Sequence, residues 1–130
     1  PTPTQVLVYA SIMFEIGSRA QKLPAPPSVV WGSLVQPQRM ESRPWLSLAS
    51  NDVAPTILVA DEPHRVVWSS LWPSRPNDQV HFDLSAIGFE TMLKFTLLTP
   101  DEPPDQSTTG HLRYRLNYLL FADLRFSYGQ

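Results

Sequence analysis

Cysteine is absent from the chain. Disulfide scaffolds, thiolate nucleophiles, thiolate zinc sites and iron–sulfur clusters are excluded with it. A reducing compartment fits that absence, and the cytoplasm is the expected location. Lysine is confined to Lys22 and Lys94, and ten basic residues stand against twelve acidic ones, for a net charge of -2. No basic excess exists to neutralise a phosphate backbone, so no nucleic-acid partner is expected. Long apolar runs are also missing. Val6–Met13 is apolar but falls well short of the about 20 residues a membrane span needs, and it lacks the basic leader of a signal peptide. Glycine occurs at Gly17, Gly32, Gly88, Gly110 and Gly129 and never clusters. There is no glycine-rich phosphate loop, and HExxH, GxSxG and EF-hand patterns are absent too. His64, His81 and His111 fall in a turn, on the outer face of a strand and near a helix start. That placement does not converge on a metal. Neither metal nor cofactor is expected.

What is present reads as one domain over residues 1–130. A hydrophobic fraction of 42% is enough for a core without covalent staples. Prolines divide the chain, because neither a helix interior nor a central strand tolerates them. Before Pro24-Ala25-Pro26-Pro27, the stretch Val6–Gln21 is extended. Phe14, Ile16, Ser18 and Ala20 alternate with Glu15, Gly17, Arg19 and Gln21, which predicts a first strand with the former set buried. Pro27 suits the first turn of a helix over Ser28–Val35, whose Val30, Trp31, Leu34 and Val35 share a face. A second short helix or turn is expected over Arg43–Leu48. Strands follow at Thr56–Ala60, Val66–Trp72, Gln79–Ser85 and Thr91–Thr99, linked by turns at Asp61–His64, Pro73–Asp78 and Gly88. Hairpin links imply an antiparallel sheet, and the alternation implies one buried face.

The acidic stretch Asp101–Asp105 suits the positive end of a helix running to about Tyr128. Leu112, Leu116, Leu119 and Phe126 form an aliphatic side of that helix, and Tyr114, Tyr118, Phe121 and Tyr128 an aromatic one. A helix apolar on more than one side is usually covered by more than one element. The expected class is therefore α+β: a curved antiparallel sheet of five or six strands wrapped around a long C-terminal helix, with two short helices after the first strand. The alternative is that a second copy or another protein covers the aromatic side.

In order and spacing these elements resemble the SRPBCC (START, polyketide cyclase-like) superfamily, the helix-grip group, in its small bacterial members. Leu23-Pro24-Ala25-Pro26-Pro27-Ser28-Val29-Val30-Trp31 looks like the family's opening strand, Ala-Pro-Pro and first helix. Val35-Gln36-Pro37 looks like that helix's end. Val59-Ala60-Asp61-Glu62-Pro63-His64-Arg65-Val66-Val67-Trp68 looks like the central hairpin, and Phe89–Thr99 like the last strand. The resemblance covers residues 12–128. One departure is the lack of a convincing Gly-rich strand pair between Trp45 and Pro55, which implies a smaller sheet and cavity. The resemblance implies a fold and a pocket, not a reaction.

On this reading Trp31, Trp68, Trp72, Phe82, Leu93 and Phe95 wall a pocket against the last helix, which contributes Tyr114, Asn117, Tyr118 and Phe121. The lining would suit a small hydrophobic or aromatic molecule, lipid- or polyketide-like. Each tryptophan could instead be plain core, and the space could be filled by side chains. Asn117 could bond a ligand, cap a backbone group or face water. Asp123 falls by helical angle beside Leu116 and Leu119. It is the candidate catalytic acid/base, with Tyr114 or Tyr118 as partner, or else an ion-pair partner of Arg19 or Arg115, or exposed. Two further functions stay open: a cyclase or dehydratase, and an interaction module like the chaperone-activator relatives.

Overall fold

A computed structural model describes residues 5–8, 11–36, 52–125 and 128 of the chain. The N-terminal segment forms two strands rather than one: β1 (Gln5–Val8) folds back on β2 (Ser11–Leu23). The extended run ends at Pro24, and α1 (Pro27–Val35) starts with proline in its first turn, as expected. The segment predicted to hold a second short helix lies outside the described residues. β3 (Ile57–Asp61), β4 (Arg65–Ser69), β5 (Gln79–Ile87) and β6 (Glu90–Thr99) follow. The six strands form one antiparallel sheet in the order β1-β2-β6-β5-β4-β3. The chain ends in α2 (Gln106–Tyr118), which continues without a break as a π-helical segment, Leu119–Leu124.

Local chemistry accounts for the joints. β5 and β6 are joined by Gly88-Phe89, with Ile87 paired to Glu90. Gly88 has φ 59°, a conformation that a side chain resists in so tight a turn. β4 stops earlier than predicted. The Ser70 hydroxyl bonds the Trp72 amide and carbonyl, a local side-chain turn that competes with the ladder, so Trp72 is not on the strand. The Asp105 carboxylate caps α2 by accepting from the Thr108 amide at 2.7 Å. That bond holds its pKa below the usual carboxylate value.

Along β2 the predicted alternation fails, for an identifiable reason. A bulge between Glu15 and Gly17 adds a residue, and the parity of the strand reverses after it. Gly17, Arg19 and Gln21 pair with Leu97, Phe95 and Leu93 and share their face of the sheet. Ser18 and Ala20, expected inside, are on the other face opposite Thr96 and Lys94.

The core lies between that face and the helices. Val66 and Trp68 of β4, Val80 and Phe82 of β5, and Leu93, Phe95 and Leu97 of β6 are fully buried in one cluster. Leu112, Leu116, Leu119, Leu120 and Leu124 of the last helix close it. Two indoles fasten α1 to this layer. Trp68 donates to the Leu34 carbonyl at 2.8 Å, and Trp31 donates to the Arg65 carbonyl at 3.2 Å. At the far end of the last helix, the Tyr128 hydroxyl donates to Ser33 of α1 at 2.8 Å, and burial pushes its pKa up to about 12.

Candidate functional site

The layer under the last helix is built from cross-strand pairs. Phe82 is paired with both Val66 and Phe95, and Leu84 with Leu93. Trp68 meets Phe82 edge-on, with ring centroids 4.7 Å apart and planes at 72°. Phe121 lies over Phe95 with centroids 6.0 Å apart. Phe121 belongs to the π-helical segment, so the helix widens where it crosses the aromatic layer. In an α-helix, three successive residues cannot all face one surface. Here Leu119, Leu120 and Phe121 are all buried.

The predicted pocket residues divide. Trp68, Phe82, Leu93 and Phe95 are fully buried and come together; Trp72 and Phe121 join them at 9% and 8% exposed. Trp31 packs at the edge, half-buried, with its N–H already donated to Arg65. The aromatic side of α2 is not sheltered. Tyr114 is 66% exposed and Tyr118 48% exposed, which corrects the expectation of a helix covered on two sides. Asn117 accepts from Arg19 of β2 at 3.4 Å. Asp123 lies within the π-helical segment, and its side chain is outside the described set. Arg115, named as a partner for it, donates to Asp52 at 3.0 Å.

Two features escaped the sequence reading. His81, expected on an exposed face, is only 4% exposed. It lies opposite Val67 on the outer face of the sheet, and Val67 is itself fully buried. Its Nδ1 is 2.9 Å from the Arg65 guanidinium and its Nε2 is 3.0 Å from Gln79 Oε1. A guanidinium can only donate, so Nδ1 accepts, and Nε2 carries the proton given to Gln79. Burial, reinforced by Arg65, lowers the His81 pKa from 6.5 to about 4. The second feature is an open cavity of about 430 Å³ at the end of β2, lined by Gln21, Lys22, Pro24, Glu90, Met92 and Arg125. Only Arg125, late in the helix, could have signalled it, and its helical angle could not be read through a π-helical segment.

The inner layer offers apolar and aromatic contact. The buried polar residues among those described are Ser70, Asp78, His81, Thr91 and Thr99. Each of these has a protein partner: Arg75 bonds Asp78 at 2.7 Å, and Thr91 donates to the Ala25 carbonyl at 2.7 Å. Arg75 also reaches Thr99, and Ser70 is held in its own turn.

This arrangement, an antiparallel sheet against one long C-terminal helix with a short helix at its end, is the helix-grip fold. No family model and no curated protein matches the sequence. Solved structures do match the fold. CalU16 from Micromonospora echinospora superposes with a TM-score of 0.61 at 18% identity, over 89% of this chain and 77% of that one. Ara h 8.0201 gives 0.58 at 8% identity, over 91% and 99%. The Aha1 dimer from Colwellia psychrerythraea gives 0.57 at 12% identity, over 81% and 90%. At these identities the likeness is one of fold. No helix among the described residues is long and apolar enough to cross a membrane.

Proposed function

We propose that the chain binds a small hydrophobic or aromatic molecule, lipid- or polyketide-like, between the inner face of the sheet and the last helix. One observation carries this reading: the helix departs from α geometry where Phe121 covers Phe95. π-helical turns are rare, lengthen the i→i+4 ladder, and recur at functional sites. A helix that opens by one residue over an aromatic layer gives that layer a way to admit a flat or chain-like guest. Phe121, slightly exposed, marks the entry, while Trp68, Phe82, Leu93 and Phe95 form the wall. The guest is recognised by shape and apolar contact, because the N–H groups of Trp31 and Trp68 are spent on backbone carbonyls. The cytoplasm is the compartment assigned on this reading.

The test is titration with steroids and polycyclic aromatics, read by tryptophan fluorescence and thermal shift, with Phe121→Trp as the blocking variant. A saturable response lost in Phe121→Trp supports the reading. No response to any member overturns it.

The exposed pair Tyr114 and Tyr118, one turn apart, favours a second reading: a contact surface for a second copy, the similar Aha1 structure being that of a dimer. A solution mass of one chain that is unchanged by Tyr114→Ala with Tyr118→Ala would remove it.

A further inference from the structure

The cavity at the end of β2 has a charge imbalance that the other described residues leave standing. β1 pairs with β2 only over Ser11–Phe14, so Gly17–Leu23 has no strand on its outer side among the described residues. The last helix passes that edge, and Arg125 reaches across it. Its Nη2 donates to the Lys22 backbone carbonyl and to Gln21 Oε1. Both acceptors are neutral. Arg125 Nε is buried and has no hydrogen-bond partner among the described residues. Lys22, on the same wall, sits 3.5 Å from the Glu90 carboxylate. Two cations and one carboxylate therefore line the cavity, and the carboxylate is matched to Lys22. The guanidinium is the charge in excess, and among the described residues it meets no acid. A partly buried charge held only by neutral oxygens gains from an anion, and guanidinium forks suit carboxylates.

We propose that this cavity binds the carboxylate of a small amphipathic monoanion, with the head on Arg125 and the hydrocarbon along Met92 and Pro24. One surplus positive charge matches a carboxylate better than a phosphate dianion. The volume of about 430 Å³ is within the range of small-molecule sites. The site lies at the sheet edge, apart from the aromatic layer, and does not rest on the function proposed for that layer.

Calorimetric titration at low salt with octanoate, and with octanol as its neutral counterpart, tests the proposal. Octanoate should bind saturably and octanol at least about tenfold more weakly, the difference a charge-assisted contact makes. Arg125→Met should weaken octanoate about tenfold. Met92→Glu leaves the Arg125 hydrogen bonds in place but sets a carboxylate inside the cavity, and it should weaken octanoate as much. Phe121→Trp, which blocks the aromatic layer, should leave octanoate binding unchanged. Equal affinities for octanoate and octanol overturn the proposal, as does octanoate affinity indifferent to Met92→Glu. Loss of octanoate binding in Phe121→Trp alone also overturns it and leaves the aromatic-layer reading standing.

Discussion

The last helix touches the sheet in two ways, and the contrast organises the molecule. Along one stripe, Leu112, Leu116, Leu119, Leu120 and Leu124 press on the paired faces of β4, β5 and β6, where every large side chain is buried. Along a neighbouring stripe the same helix meets β2 through the stems and heads of polar side chains. The Arg113 side chain lies 3.5 Å from where a Cβ on Gly17 would sit, Asn117 accepts from Arg19, and Arg125 reaches Gln21. The first contact removes apolar surface from water and carries the stability. The second exchanges water hydrogen bonds for protein ones, worth little net.

Mutations can break this comparison. Trp68→Ala has the largest expected effect, about 3–5 kcal/mol, because it empties the centre of the aromatic layer and orphans the Leu34 carbonyl. Urea denaturation checks it; a loss below about 1 kcal/mol would mean that the layer is not the stabilising half. Asp78→Ala comes next, at about 3 kcal/mol, since it leaves Arg75 half-buried without its acid beside Thr99. Gly88→Ala should cost about 1 kcal/mol, from the positive φ alone, and should leave ligand binding untouched. Asn117→Ala, on the loose stripe, should change stability by less than about 0.5 kcal/mol.

The outer face of the sheet gives a prediction in pH. Folding lowers the His81 pKa from 6.5 to about 4, so between those values the unfolded chain holds more protons than the folded one. Stability is then complete above pH 6.5, falls as the pH drops toward 4 and flattens below it. Urea midpoints in that window should decline in the parent chain and hold steadier in His81→Gln. Equal slopes would show that the imidazole is not buried neutral beside Arg65.

Much of this was legible in the sequence. Pro24-Ala25-Pro26-Pro27 placed α1, and the alternation of β5 and β6 placed their hairpin to within two residues at each end. Those signals are local, and nothing tertiary opposes them. The failures have physical causes. A bulge leaves no compositional mark, so the face of β2 after Glu15 was inverted. A π-helical segment alters the angle per residue: Leu119 still falls with Leu112 and Leu116 as read, but the reading drifts beyond it. That misplaced Phe121 relative to Tyr114 and Tyr118. Phe121 is buried in the layer, while the two tyrosines stay outside, where a phenol with a polar tip is tolerated. Trp72 was read onto a strand that Ser70 had already ended.

The claim on which the functional account depends is that a guest enters between Phe121 and the aromatic layer. An NMR titration with a saturating hydrophobic ligand follows the backbone amides one by one. The account predicts shifts concentrated at Leu119–Leu124, Leu93, Phe95 and the Trp68 and Trp72 indoles. Shifts confined to Tyr114 and Tyr118, or spread evenly with the inner layer silent, would contradict it.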